Sequence, residues 1–389
     1  MIFRKTSHPL RAYIREDETD GRHATWLELF FDLVFVLAIS QLSHLLQSNL
    51  SWVGIVEFVA LFVPVWWLWI DFSYYADQFD VDRGPYRLVM LGVMFGLVVL
   101  SLTIHDALHG GSASFAAVYA SLRLVIIGLY VQAWRFVPQS RELTQRYTLS
   151  FAIAFCFWVL SIAVPEPMRY GFWVIALLIE ISNGPITYLT IRNVPTQESH
   201  MDERFGLFVI IVLGEAIIAV ANGVAETNWQ WQSVLIGAAG FLAAVGLWWM
   251  YFERANESTI NWALRSGRWA LFRSYIYGYS HLFVFIGIVA TGVGVQSCIE
   301  AAGDSALAAP PRAVLCGGIA IFLLGVTALQ WAAPGDFPKR VVAVRCLLAG
   351  ISLCFIPLGV SFPPLGIVAT LSVLLVTLNA MDGIPLSQA

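Results

Sequence analysis

Long apolar runs separated by short polar breaks dominate the chain from Trp26 to about Ala380. A helix needs about 20 mostly apolar residues to cross the hydrocarbon core of a bilayer. Reading the runs between the breaks predicts twelve transmembrane helices, at 25–47, 52–75, 87–105, 113–136, 144–164, 170–190, 205–224, 231–252, 270–296, 311–332, 339–358 and 361–380. The pattern therefore predicts an all-α integral membrane protein with little chain left for a soluble domain.

Composition supports this prediction. The 389 residues are 58% hydrophobic and 12% charged, whereas soluble domains are about 25% charged. The five cysteines show no CxxC pairing, so neither a disulfide framework nor a zinc site is predicted. The formal net charge of -4 gives no indication of a nucleic-acid partner. We expect no cofactor and no metal, and the apolar run after residue 25 is too long for a cleaved signal peptide.

The positions of Lys and Arg predict the orientation. These residues accumulate in the cytoplasmic loops of membrane proteins. With a cytoplasmic N-terminus, 19 of them fall on the cytoplasmic side, only Arg169 and Arg312 fall outside, and Arg123 lies within span four. Both termini are therefore predicted to be cytoplasmic.

The second half of the chain resembles the first. VWWLWIDF, at 65–72, closes span two, and LWWMYFER, at 247–254, closes span eight, 182 positions later. Because six spans is an even number, the two halves enter from the same side and form two parallel six-helix repeats. The predicted division is an N-terminal tail at 1–24, a first repeat at 25–190, a linker at 191–204, a second repeat at 205–380 and a C-terminal tail at 381–389.

Two carboxylates lie near the start of span one. Glu28 and Asp32 are four residues apart and share one helical face. A charge at the membrane centre costs about 2.5–3.5 kcal/mol unless it has a partner, so each is a candidate for function. Two interpretations stay open: an acidic entrance for ions, or an anchor that binds a basic residue or a helix N-terminus.

Two other charges are predicted to lie deeper. Glu215 is about ten residues into span seven, so proton or cation handling is favoured over a purely structural role. Arg123, in span four, keeps its charge in any environment, so a buried partner is expected. The candidate partners are Asp32, Glu57, Glu180 and Glu215.

The remaining candidates are weaker. His281 in span nine is either part of a proton relay or, as we favour, a neutral side chain hydrogen-bonded between helices. Glu57 and Glu180 are expected to tie helices together or to line a cavity. Asp71 is interpreted as part of a solvated, paired cytoplasmic loop, with a cation-attracting vestibule as the alternative. Charges near the ends of spans seven and eight complete the set: Glu203, Arg204 and Glu253.

At these motifs the chain resembles a known family. The run WLELFFDLVFVLAISQLS, the later run HMDERFGLFVIIVLGEAII and the WW span endings are similar to the bacterial low temperature requirement protein A family. The resemblance covers nearly the whole chain. The family is named for a cold-growth phenotype. The resemblance therefore implies a multi-pass protein of the bacterial cytoplasmic (inner) membrane that is connected with cold or stress adaptation, and it implies no particular reaction.

Span one also resembles the first helix of the potassium and proton channels that carry an FSD motif. That helix reads FSDGVFAIAIT, and residues 30–40 here read FFDLVFVLAIS. In those channels the motif anchors the pore-lining helix through a polar network, and an apolar side chain a little deeper narrows the pore. The resemblance implies that Asp32 is an anchor and Leu37 the constriction, although the second half has no clear FSD equivalent.

Three functions follow as hypotheses. The leading one is a channel or transporter for a small cation or protons. The second is a proton-coupled secondary transporter in which Arg123 binds an anionic solute and Glu215 couples to protons. The third is a non-transporting membrane protein that assists cold adaptation by binding lipids or a partner. No enzyme is expected, since the chain has no Walker loop, GxSxG elbow or HExxH motif. Lipids and a small cation or proton are the expected partners, and the oligomeric state, a homo-oligomer included, stays open.

Overall fold

The computed structural model describes residues 13–14, 25–80, 84–191, 200–253, 262, 266, 268–334 and 338–382. Nearly all of the predicted N-terminal tail (1–24), most of the linker (191–204) and most of the C-terminal tail (381–389) lie outside these residues. The same holds for several basic residues in the charge count: Arg4, Lys5, Arg11, Arg15, Arg22, Arg83, Arg192, Arg254 and Arg265.

The described chain is all-α apart from one two-residue strand pairing. Twelve α-helices have both ends among the described residues: α1 (Trp26–Ser48), α2 (Trp52–Gln78), α3 (Gly84–Thr103), α4 (Ser112–Phe136), α5 (Arg141–Ala163), α6 (Met168–Thr190), α7 (Met201–Glu226), α8 (Trp231–Phe252), α9 (Arg268–Glu300), α10 (Ala309–Ala332), α11 (Lys339–Leu358) and α12 (Pro364–Asp382). The strands β1 (Tyr13–Ile14) and β2 (Phe79–Asp80) pair antiparallel.

Ten helical segments of the described chain are long and apolar enough to cross a membrane. They include α1 to α5 and α7 to α11. Helix α12 counts as a shorter apolar helix over Pro364–Ala380, and α6 is absent from the ten. The protein is therefore a multi-pass α-helical membrane protein.

Each of the twelve predicted runs overlaps one of these helices, and the differences lie at the ends. Helix α2 extends to Gln78, three residues past its predicted end. Helix α12 begins at Pro364, three residues later than predicted, after a short 3-10 turn at Gly359–Ser361. Proline fits this start because its missing N–H falls in the first helical turn, where backbone N–H groups have no partner within the helix.

The chain divides into two compact units. The first comprises Met1–Gln41, Pro64–Arg204 and Ile260–Phe272. The second comprises Leu42–Val63, Phe205–Thr259 and Arg273–Ala389. Helices α1, α2, α7 and α9 each contribute residues to both units.

Aromatic side chains fill the interior of the first unit. Helix α4 packs against α3 and α5, and α5 packs against α6. Trp69, Trp158, Tyr75 and Tyr119 are among the largest fully buried side chains. The rings of Tyr119 and Trp158 lie 4.0 Å apart between centroids, so the α4–α5 contact is made by large, rigid groups.

Small residues bring helices close together in the second unit. Helix α8 packs against α12, and α10 packs against α11. A Cβ atom placed at Gly287 of α9 would lie 2.7 Å from the backbone N of Phe322 in α10. The glycine therefore lets two helix backbones approach more closely than any larger residue permits.

Candidate functional site

Glu28 takes part in the start of α1. The backbone N of Thr25 donates to Oε2 of Glu28 at 2.8 Å, and the backbone N of Glu28 lies 3.3 Å from Oγ1 of Thr25. This reciprocal pattern is a capping box, which satisfies N–H groups that the first turn leaves without helical partners. The capping role accounts for an acid at this position in span one.

Asp32 lies in a buried polar cluster of the first unit. Its Oδ1 accepts a hydrogen bond from Nη2 of Arg204 at 2.6 Å and another from Nε1 of Trp69 at 2.8 Å. Asp32 is 0% and Arg204 is 2% exposed. The guanidinium carbon of Arg204 also lies 6.0 Å from the ring centroid of Phe31 and 5.9 Å from that of Trp69, within cation–π range. The cluster joins α1, α2 and the first turn of α7.

A second cluster in the first unit centres on Arg123 of α4. Nη1 of Arg123 donates to Oδ2 of Asp71 in α2, and Nη2 donates to Oε2 of Glu180 in α6. The hydroxyl of Tyr119 lies 3.2 Å from Nη2. All three charged side chains are buried. Of the four candidate partners, the structure pairs Arg123 with Glu180, and it adds Asp71.

The interpretation of Asp71 as part of a solvated loop is wrong. Asp71 lies within α2, as the predicted span 52–75 already required, and it is only 6% exposed. The physical reason is that the segment after Asp71 remains rich in aromatic residues, which extends the buried helical face by two turns. Asp77, farther along α2, accepts a hydrogen bond from the backbone N of His200 at 2.7 Å, next to the start of α7.

Glu215 lies at the middle of α7, fourteen residues after Met201 and eleven before Glu226. The residue is 8% exposed, and the nearby residues of the same helical face are apolar, with Val212 at 0% and Ala219 at 7% exposure. Among the residues described, the structure shows no hydrogen bond or ion pair for Glu215. It is therefore a buried carboxylate at the middle of a membrane-spanning helix.

His281 of α9 is fully buried in the second unit. Nδ1 lies 2.9 Å from the carbonyl oxygen of Tyr277, and Nε2 lies 2.9 Å from the hydroxyl of Tyr251. A carbonyl oxygen only accepts, so Nδ1 carries a hydrogen, and in the neutral form of the ring Nε2 accepts from the hydroxyl of Tyr251. The imidazole also stacks on Phe205, with the ring centroids 3.9 Å apart. This geometry favours the interhelical hydrogen-bonding interpretation over a proton relay.

The other predicted residues are more exposed. Leu37 is 36% exposed and shares a helical stripe of α1 with Phe30 and Leu33, which are 48% and 56% exposed. A continuous apolar exposed stripe is typical of a lipid-facing surface, so it gives no support to a constriction at Leu37. Glu57 accepts a hydrogen bond from Asn49 at 3.3 Å.

Glu203 and Glu253 lie at helix ends. Glu203 lies in the first turn of α7, where a negative charge complements the helix dipole. Glu253 follows the last residue of α8 and accepts a hydrogen bond from Nε1 of Trp249 at 2.5 Å. The helix dipole accounts for Glu203, and the local hydrogen bond accounts for Glu253.

Sequence reasoning missed several groups that complete the clusters. Trp69 completes the Asp32 cluster and Tyr119 the Arg123 cluster, and neither residue was singled out from the sequence. Asn183 and Thr187 lie three and seven residues after Glu180 in α6. Their spacing places all three on one helical face, and this signal was available in the run EISNGPIT.

The comparisons with known proteins cover most of the chain. The model of the family described as bacterial low temperature requirement A protein (LtrA) matches residues 23–380. An uncharacterized protein of Rhizobium meliloti (strain 1021) is 30% identical over 293 residues, which make up 72% of this chain and 71% of that protein. The family match extends from just before α1 almost to the end of α12 and confirms the resemblance seen in the motifs. The chain therefore belongs to the bacterial low temperature requirement A protein family.

Proposed function

We propose that this protein moves a small cation or protons across the bacterial inner membrane. In this proposal twelve helices span the membrane as two parallel six-helix repeats, with both termini in the cytoplasm. The protein acts as a channel or transporter and catalyses no chemical reaction. The observation that carries the proposal is Glu215, a buried carboxylate at the middle of α7.

The energetics of Glu215 favour a cationic ligand. Glu215 lies fourteen residues after Met201, the first residue of α7. Because an α-helix rises about 1.5 Å per residue, Glu215 lies roughly 21 Å along the helix axis from that end. An ionised group in such a setting is costly unless a charge of opposite sign neutralises it. No ion pair with Glu215 occurs among the described residues, so a proton or a small cation that passes along the protein supplies the neutralising charge.

The surroundings of Arg123 argue against the anionic-solute alternative. Both terminal nitrogens of its guanidinium already donate to carboxylates, Nη1 to Asp71 and Nη2 to Glu180. An anionic solute at this position would face two negative groups and would have to displace one of them. The arrangement therefore favours cations over anions as the transported species.

Flux measurements test the proposal. Full-length protein reconstituted in liposomes is expected to conduct protons, potassium or sodium above the level of empty vesicles, when each is driven by an imposed gradient. Glu215→Gln keeps the shape and removes the charge, so the flux is expected to fall at least about tenfold, which corresponds to about 1.4 kcal/mol of barrier. Glu226→Gln is the matched control, because Glu226 is an exposed residue at the end of the same helix.

Two results would contradict the proposal. One is a flux of every tested ion equal to that of empty vesicles at all pH values and membrane potentials. The other is a Glu215→Gln variant that conducts like the unsubstituted protein. The thermal unfolding of both variants in detergent checks that any loss of flux does not come from misfolding.

A further inference from the structure

We propose that Glu180 is a proton-binding site and that Asn183, Thr187 and Thr190 form the proton's path along α6. The proposal deepens the function proposed above by naming the ion, and it depends on that function only for what the proton is used for. It rests on the charge balance, the burial and the hydrogen bonds of the Arg123 cluster.

The cluster holds more negative than positive groups. One guanidinium, Arg123, faces two carboxylates, Asp71 and Glu180, so with all three ionised the formal charge is -1. The exposures are 0% for Arg123, 6% for Asp71 and 1% for Glu180. An excess charge without solvent is costly, and one proton on a carboxylate removes it.

Within the part of the chain that the structure describes, the other contacts of the cluster bring in no further charge. Helix α2 contributes Asp71, and α4 contributes Arg123 and the neutral hydroxyl of Tyr119. Helix α5 contributes the ring of Phe151, whose centroid lies 5.5 Å from the guanidinium carbon of Arg123. This ring is apolar and does not titrate, so the described contacts leave the extra positive charge to a bound ion.

Glu180 is the better of the two carboxylates for holding the proton. Its Oε2 accepts from Arg123, while Oε1 is buried and has no hydrogen-bond partner among the described residues. Glu180 also lies near the middle of its helix, twelve residues after Met168 and ten before Thr190. The oxygen without a partner is the atom at which a proton adds without breaking the pair with Arg123.

A proton fits this site better than a metal cation does. Sodium, potassium and divalent ions require several oxygen ligands around them. Here the guanidinium of Arg123 contacts both carboxylates directly and would repel a metal ion between them. A proton needs only one oxygen atom and adds no volume to a close-packed interior.

Polar residues lie along α6 between Glu180 and the end of the helix, and we call Asn183, Thr187 and Thr190 the polar track. Nδ2 of Asn183 lies one turn from Glu180 and, within the described chain, also has no hydrogen-bond partner. The hydroxyl of Thr187 donates to Oδ1 of Asn183 at 3.1 Å. Asn183 and Thr187 are buried and Thr190 is exposed, so the track runs from the interior to the surface at the C-terminal end of α6.

Infrared spectroscopy tests the binding site directly. Spectra of full-length protein in liposomes, recorded over a range of pH in H2O and D2O, are expected to show the carbonyl stretch of a protonated carboxyl group that shifts with deuterium. The spectra are recorded in a Glu215→Gln background, so that the other buried carboxyl group discussed above does not contribute. In this background the band is expected to disappear in Glu180→Gln and to remain in Glu226→Gln, since Glu226 is an exposed residue at the end of α7.

A second variant keeps Glu180 and changes only the charge balance. Asp71→Asn leaves the guanidinium of Arg123 with a single carboxylate, that of Glu180, so Glu180 is expected to ionise. The band is then expected to disappear even though Glu180 is still present. A band that persists in Glu180→Gln assigns the proton to another residue and overturns the proposal. A band that persists in Asp71→Asn overturns the charge argument.

Exchange kinetics test the path. In Asn183→Leu and in Thr187→Val the band is expected to remain while its exchange with D2O slows at least about tenfold, the effect of about 1.4 kcal/mol on a barrier. An unchanged exchange rate in both variants overturns the path along α6.

Ion flux that is absent while the band is present contradicts the transport function alone. Potassium flux without the band contradicts the proton site alone.

Discussion

Asp32 of α1 and Arg204 of α7 form a buried ion pair. The side chains are 0% and 2% exposed, and Oδ1 of Asp32 lies 2.6 Å from Nη2 of Arg204. Removing one partner of such a pair leaves a buried charge without compensation, which costs about 3–5 kcal/mol. Removing both partners avoids that uncompensated charge. The pair is therefore expected to matter more for the mutual placement of α1 and α7 than for net stability.

A double-mutant cycle tests this expectation. Asp32→Asn and Arg204→Gln are each expected to lower the free energy of unfolding by about 3–5 kcal/mol, and the double variant is expected to lose less than the sum. Thermal unfolding in detergent, followed by tryptophan fluorescence, provides the measurement.

The exposed pair of Glu142 and Arg146 is the matched control. The two side chains are 52% and 39% exposed and lie 3.3 Å apart. Exposed ion pairs contribute about 0–1 kcal/mol to the free energy of unfolding. Glu142→Gln and Arg146→Gln are therefore expected to leave the midpoint of thermal unfolding nearly unchanged. Additive losses for Asp32 and Arg204 would contradict the assignment of a coupled buried pair.

Individual charges were predictable from sequence as candidates, and their partners were not. Asp32, Arg123 and Glu180 stand out because a charge within an apolar run is costly. The pairing of Arg204 with Asp32 joins positions 172 residues apart, and no local pattern encodes which helices meet. Asp71 was assigned to the loop because polar residues follow it, whereas the aromatic residues around it keep the segment helical and buried.

At the scale of elements, helices α9 and α10 approach through glycines whose surroundings differ sharply. A Cβ at Gly318 would lie 2.7 Å from the backbone N of Thr291 and 3.0 Å from Cβ of Ala290. Such contacts involve backbone that cannot move independently. At the neighbouring Gly317, no described atom lies within 4 Å of the same added Cβ.

This pair of glycines provides a direct test of helix packing. Gly318→Ala is expected to destabilise the protein by about 1–3 kcal/mol, the usual cost of overpacking a filled interior. Gly317→Ala is expected to be neutral or to stabilise by up to about 1 kcal/mol, because alanine favours the helix more than glycine does. Thermal unfolding midpoints of the two variants decide the question, and equal shifts would contradict the close approach of α9 and α10.

The sequence predicts where the helices lie along the chain more reliably than it predicts which helices contact each other. Every predicted run overlaps a helix, because a membrane-spanning segment requires a length of apolar chain that is visible locally. The end of α2 was missed since amphipathic aromatic residues continue a helix beyond its most apolar part. The α9–α10 contact was not predictable, because glycines at positions 287 and 318 become informative only when the facing residues are known.

At the scale of the whole molecule, the distribution of basic residues predicts that both termini are cytoplasmic. The loop after α4 and the loop after α9 should then lie on opposite sides of the membrane. Gln139 and Ser305 are exposed residues in these two loops. Their accessibility to a reagent that does not cross the membrane reports the orientation.

Cysteine labelling of intact cells gives this test. In a background with the five native cysteines replaced by alanine, Ser305→Cys is expected to react with a membrane-impermeant maleimide. Gln139→Cys is expected to react only after the cells are permeabilised. The positive-inside rule supplies the physical reason, since Lys and Arg are retained on the cytoplasmic side during insertion. Reaction of Gln139→Cys in intact cells would contradict the predicted orientation.

The sequence by itself determined the membrane-protein class, the positions of the helices and the family, because apolar run length and local motifs are properties of neighbouring residues. It also marked Glu28, Asp32, Arg123 and Glu215 as unusual. Only the tertiary structure decided that Glu28 caps α1, that Asp32 binds Arg204, and that Arg123 binds both Asp71 and Glu180. Those pairings depend on which helices pack together, and packing is set by complementary surfaces that lie far apart along the chain.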